Sequence, residues 1–262
     1  MYACVTRHGN KLVDSHLYPV ADQNLTGVHT YNIGGHECIK VTRDDAQCWL
    51  VYVHGNSVTL DSLHGARIAN ELTSRAKCNV VAPAYPDKLE DGSKYDDKVA
   101  KCVSTVCNTL ANDTGAPVYL VGRSLGAAIV LKSCKGMEQQ PKGIVCISGF
   151  DSARARVPKY LSFLSFLVGD RFDNLQEIAS KQLDGVSKLI LHGKDDTLIP
   201  VSCAHRLYSA ASDASVEIID QMDHTPTASQ WSMLFERICR FVDPQPLQGF
   251  AAPIYTRWHL NR

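Results

Sequence analysis

Pro117-Val118-Tyr119-Leu120-Val121 runs straight into Gly122-Arg123-Ser124-Leu125-Gly126 and then into Ala127-Ala128-Ile129. The first part is short and apolar, as a buried strand is. The last part is small and apolar and reads as a helix. Between them stands a Gly-x-Ser-x-Gly, and its position matters more than its pattern. A serine on a tight strand-to-helix turn sits on a strained backbone, and side chains at the flanking glycine positions would collide with the surrounding chain. Ser124 would stand at the amino end of the helix, where unpaired N–H groups and the helix dipole favour developing negative charge. Ser124 is therefore the candidate nucleophile.

The sequence on either side repeats the same alternation. Residues 28–33 and 37–43 read as two strands joined at Gly34-Gly35, a hairpin signal. Residues 48–53 form an apolar strand that ends at His54-Gly55-Asn56. Leu60, Leu63, Ile68 and Leu72 mark one face of a helix, and 79–84 is the next strand. Ser93 is placed to cap a helix carrying Val99, Val103, Val106 and Leu110. Strands follow at 143–147, 187–191 and 215–219. Thr227 with Gln230 is a capping-box signature ahead of a helix bearing Trp231, Leu234, Phe235, Ile238 and Phe241. Apolar strands alternating with helices imply an α/β fold, a mostly parallel sheet covered on both faces, with antiparallel strands at its N-terminal edge.

A serine hydroxyl is a weak nucleophile that needs a base, and the base needs an orienting carboxylate. After an elbow of this kind the carboxylate follows the serine and the histidine comes last. His192, His205, His224 and His259 follow Ser124. His192 ends a strand and reads as structural, His205 lies in a helical pattern, and His259 lies in the tail. His224, in the loop between the last strand and the last helix, is the candidate base. The loop after 187–191 carries Asp195 and Asp196, and the spacing alone leaves both open as its partner. The oxyanion donors are expected to be the backbone N–H groups of Leu125 and Asn56, with Gly55 letting the chain approach the substrate.

Composition narrows the field further. The 262 residues carry 27 Lys plus Arg and 27 Asp plus Glu, a formal net charge of zero, with 45% hydrophobic residues. A nucleic-acid binder needs a basic excess, and a disordered chain has few apolar residues. The most apolar stretch, 160–168, is about half the length of a membrane span. None of the ten cysteines forms a C-x-x-C pair, so zinc-ribbon and thioredoxin-like readings lack support. Several, such as Cys48 and Cys146, lie in apolar runs and read as small hydrophobes. A reducing cytoplasm is the expected compartment. Cys4 reads as an ordinary thiol, with palmitoylation as the alternative.

Taken together, Val53-His54-Gly55-Asn56, the Ser124 elbow, Arg171-Phe172-Asp173-Asn174, the segment from His192-Gly193 through Asp195-Asp196 to Pro200, and the late His224 resemble the α/β-hydrolase superfamily. More narrowly, they resemble its intracellular serine hydrolases, which include protein depalmitoylases. The resemblance spans about 27–242 and implies the α/β-hydrolase fold. It selects Asp196 over Asp195, because the family's acid lies four residues after the histidine of the His-Gly pair. It implies a Ser124–Asp196–His224 triad that cleaves an ester or thioester through an acyl-enzyme, with no metal and no organic cofactor. The expected substrate is a small molecule or an acylated protein. Peripheral lipid contact is compatible with this reading, and stable membrane insertion is not. A peptidase would use the same triad, and a non-catalytic interaction module would normally lack one member of it. The chain departs from the family in its charged stretch from Asp87 to Asp91 and in having Asp223, rather than glycine, before His224. Residues 1–26 are expected to form an extension, 27–243 the hydrolase domain with a small cap at about 151–184, and 244–262 a tail.

Overall fold

Unbroken apolar runs make strands here because the sheet is covered on both sides. The computed structural model describes residues 29–55, 64–86, 94–153 and 171–243. In chain order the elements are β1 (Thr30–Ile33), β2 (His36–Val41), β3 (Cys48–Val53), α1 (His64–Arg75), β4 (Cys78–Pro83), α2 (Tyr95–Thr114), β5 (Val118–Arg123), α3 (Leu125–Ser133), β6 (Gly143–Ile147), α4 (Asn174–Ile178), β7 (Ser187–Gly193), α5 (Ser202–Ala210), β8 (Ala214–Ile219) and α6 (Ala228–Val242). The eight strands form one sheet in the order β1-β2-β4-β3-β5-β6-β7-β8. β1, β2 and β4 pair antiparallel, and all pairs from β4 through to β8 are parallel.

Side chains alternate across each strand and so feed two cores. In β3, Trp49, Val51 and Val53 join the cluster under α2, α3, α4 and α5. Cys48, Leu50 and Tyr52 join the one under α1 and α6. Leu50, Val51, Leu120, Val121, Ile144 and Val145 are all 0% exposed. Burying side chains of this size is favourable by roughly 1.5–3 kcal/mol each before chain entropy is counted. The capping box at Thr227 and Gln230 starts α6: each residue's side chain accepts from the other's backbone N–H.

The structure departs from the sequence reading at several points. β5 continues through Gly122 and Arg123, because these pair with Cys146 and Ile147 of β6. The N-cap of α2 is Lys94, which makes no side-chain cap bond. Asp96 and Asp97 occupy the first turn of α2 instead, where negative charge is favoured. Cys48 is not simply a small hydrophobe: it lies opposite Cys78 in the β3–β4 register and forms a disulfide with it, Cα to Cα 4.9 Å.

Arg171-Phe172-Asp173-Asn174 gains a structural role. Asp96, 0% exposed, is ion-paired to both Arg171 and Lys132. Phe172 packs edge-on against Phe150. Asp173 caps α4 by accepting from the Gln176 N–H, and Asn174 donates to the Phe150 carbonyl at 2.8 Å. The described parts of the expected cap, 151–153 and 171–184, therefore pack on the body. Leu60, Leu63, Ser93, Cys4, His259 and the stretch 160–168 lie outside the described residues. Among those that are described, no helix is long and apolar enough to cross a membrane, and no group of three His, Cys, Asp or Glu could hold a metal.

Candidate active site

Parallel strands bring their carboxyl ends to one edge of the sheet, and the loops leaving that edge carry the candidate residues. Ser124 links β5 to α3 with φ 53° and ψ −117°, a strained conformation for a residue with a side chain. Two close approaches hold it there. A β-carbon on Gly126 would come 2.1 Å from the Val53 carbonyl oxygen, and one on Gly122 would come 2.3 Å from that of Gly126. Only glycine lets α3 pack this tightly against the strand ends. The Ser124 N–H donates to the Ile147 carbonyl at 2.8 Å, which ties the turn to β6.

Three side chains meet in line. Asp196 Oδ2 lies 2.9 Å from His224 Nδ1, and His224 Nε2 lies 3.1 Å from Ser124 Oγ. A carboxylate can only accept, so a neutral imidazole keeps its proton on Nδ1 and turns the Nε2 lone pair to the serine hydroxyl. The second oxygen of Asp196, Oδ1, accepts from the N–H groups of Leu198 at 3.0 Å and Ile199 at 2.7 Å. Burial pushes the Asp196 carboxyl up, but the His224 hydrogen bond and the Ile199 amide outweigh it, leaving the group below its ordinary value.

His192 buttresses this loop from beneath. It is 0% exposed, and burial lowers its pKa, so it stays neutral. Its Nε2–H donates to the Ile199 carbonyl at 2.9 Å. Asp223, flagged by the sequence as a departure, braces the loop from the outer side. Its Oδ1 accepts from the Thr197 N–H at 2.9 Å and the His224 N–H at 2.7 Å, which splints the acid loop to the histidine loop. Those hydrogen bonds hold its carboxyl below the usual range.

No protein-family model matches the sequence, and no curated protein matches it. Solved structures do. A hormone-sensitive lipase from a metagenome library aligns with a TM-score of 0.62 at 19% identity, covering 90% of this chain and 89% of that one. A monoacylglycerol lipase from Paleococcus ferrophilus gives 0.62 at 14% identity, over 82% of this chain and 98% of that one. An alpha/beta hydrolase enzyme from the metagenome of lagoon sediments at Mar Chica, Morocco, gives 0.61 at 16%, over 82% and 98%. The chain has the α/β-hydrolase fold. Within the α/β-hydrolase frame the remaining sequence expectations can be placed. Asp195 is exposed, whereas Asp196 is buried. His205 lies exposed on α5. The Leu125 N–H belongs to the first residue of α3, among the amides a helix leaves without an internal acceptor. Asn56 lies outside the described residues, directly after Gly55. Sequence reasoning missed two participants, Asp223 as a splint and Arg123. Arg123 Nη2 donates to the His224 carbonyl at 2.7 Å. Neither role carries a local pattern, since Arg123 meets His224 and Asp223 meets Thr197 only across long stretches of chain.

Proposed function

We propose that the chain is a serine hydrolase that cleaves an ester or thioester. The supporting observation is the hydrogen-bonded line Asp196–His224–Ser124 at the end of β5. In this reading Ser124 Oγ attacks the carbonyl carbon while His224 Nε2 takes its proton. Asp196 fixes the tautomer and stabilises the imidazolium. The Leu125 and Asn56 N–H groups hold the oxyanion, each such donor contributing about 2.7–4 kcal/mol to the transition state. The imidazolium then protonates the leaving alcohol or thiol. A water, deprotonated by His224, attacks the acyl-enzyme and releases the acid. The two lipases among the structures of similar fold support an ester as the scissile bond. The resemblance to depalmitoylases extends the reading to thioesters of acylated proteins. Cytoplasmic residence belongs to the same proposal. It is favoured by the seven free cysteines among the described residues and opposed by the Cys48–Cys78 disulfide.

Kinetics of the full chain with matched acyl esters, acyl thioesters and acyl amides test this reading. Turnover of ester or thioester that disappears in Ser124→Ala is the expected result. Turnover that survives Ser124→Ala, or faster cleavage of amides than of esters, would contradict it.

A further inference from the structure

A buried guanidinium needs a reason. Arg123 stands next to the nucleophile in the elbow, and only 6% of it is exposed. Taking such a cation out of water costs several kcal/mol unless it is paired. Among the described residues no carboxylate lies within 4.0 Å of it, and its Nε has no hydrogen-bond partner. What it does have is a backbone acceptor: Nη2 donates to the carbonyl of His224 at 2.7 Å. Its Cζ lies 6.0 Å from the centre of the Trp231 ring, within cation–π range. Its Nη1 lies close to the start of the loop after β3. A β-carbon built on Gly55 would come 3.3 Å from Arg123 Nη1 and 3.3 Å from Ser124 Cβ. From the end of β5, one side chain therefore reaches the histidine loop and the start of the loop after β3. Burial pushes the pKa of the Tyr52 phenol up to about 12, with the Arg123 charge opposing part of the rise.

The bond to His224 goes to its backbone and leaves both ring nitrogens for Asp196 and Ser124. The accepting carbonyl is bonded directly to the His224 Cα that sets where the imidazole points. The partners splinting the other side are Asp223 on the His224 N–H and Asp196 on Nδ1. With Arg123 on the carbonyl, His224 is held at the N–H, the C=O and the ring. Arginine suits this task better than lysine, because its fork of N–H donors can bond a carbonyl while its delocalised charge stays within reach of an aromatic ring.

Building on the hydrolase reading, we propose that Arg123 is a positioning residue that holds His224 in line with Ser124 through the His224 carbonyl. It touches no reacting atom. Its removal acts on the geometry of proton transfer and leaves substrate binding alone, and a misplacement of about 1 Å at such a centre costs roughly 100-fold in rate.

The test is the kinetics of one ester substrate with wild type, Arg123→Met, Arg123→Lys and Ser124→Ala, each first shown to melt cooperatively. The expected losses in kcat are about 100-fold for Arg123→Met and about tenfold for Arg123→Lys, with KM within about twofold for both. Lysine recovers part of the rate because a single ammonium can still reach the carbonyl. The inference is overturned by an Arg123→Met enzyme within twofold of wild type in kcat, by a lysine variant no faster than the methionine one, or by a change confined to KM. If Arg123→Met does not fold, Arg123→Lys is read alone, and a kcat equal to wild type overturns the inference. Wild-type turnover that survives Ser124→Ala sinks the hydrolase reading itself. Turnover lost in Ser124→Ala but untouched in Arg123→Met sinks this inference only.

Discussion

At Asp196 both oxygens are committed, one to His224 Nδ1 and the other to the amides of Leu198 and Ile199. An asparagine there would keep the shape but can present an NH2 to Nδ1. That forces the other tautomer and points an N–H at Ser124 Oγ, so Asp196→Asn is expected to lower kcat on the order of 10⁴-fold with the fold intact. Asp196 also links stability to pH. Its folded carboxyl sits below the ordinary value, so its contribution to stability is complete above the unfolded value of about 3.9. That contribution is lost as pH falls through the lower folded value. Urea denaturation from pH 6 to pH 3 is expected to show wild type above Asp196→Asn, with the gap narrowing below about pH 4. A gap that stays constant or widens in acid would contradict the assignment. At this scale much was legible in the chain. Ser124 and His224 follow from a turn, a loop and an order of residues. Asp195 and Asp196 were inseparable by spacing, because they share one loop and differ only in which of them is buried. The roles of Arg123 and Asp223 were illegible, since nothing around a charged residue in the chain says that its partner lies on a distant loop.

The elbow is an element held by backbone packed on backbone. Adding one methyl at Gly126 sets a carbon 2.1 Å from the Val53 oxygen and 2.6 Å from that of His54, and neither is the end of a flexible side chain. Gly126→Ala is expected to destabilise the protein by about 3 kcal/mol or more, measured by thermal or urea unfolding. A loss under about 1 kcal/mol would mean that α3 does not pack as described. Strand and helix identities were legible because their periodicities are local. The ends were less so. β5 runs on through Gly122 and Arg123 because β6 offers them partners, a fact the strand's own residues do not carry.

Across the whole molecule, long-range register supplies what local pattern cannot. Cys48 and Cys78 stand 30 residues apart and meet only because β3 and β4 are parallel in that register. Arg171 reaches Asp96 of α2, which also binds Lys132 of α3. Removing the guanidinium leaves a buried carboxylate with less compensation. Arg171→Met is expected to cost about 3 kcal/mol, roughly 6–12 °C in melting temperature for a chain of this size. An unchanged melting temperature would contradict the role given to this pair. The zero net charge offers no bulk electrostatic attraction for a charged ligand. Whether Ser124 is an activated nucleophile at all is the central claim. Mass spectrometry after treatment with a fluorophosphonate probe tests it most directly. The account predicts a single adduct on the peptide bearing Ser124 and none in Ser124→Ala. Folded wild type that takes up no probe, or a Ser124→Ala protein that labels equally, would contradict it.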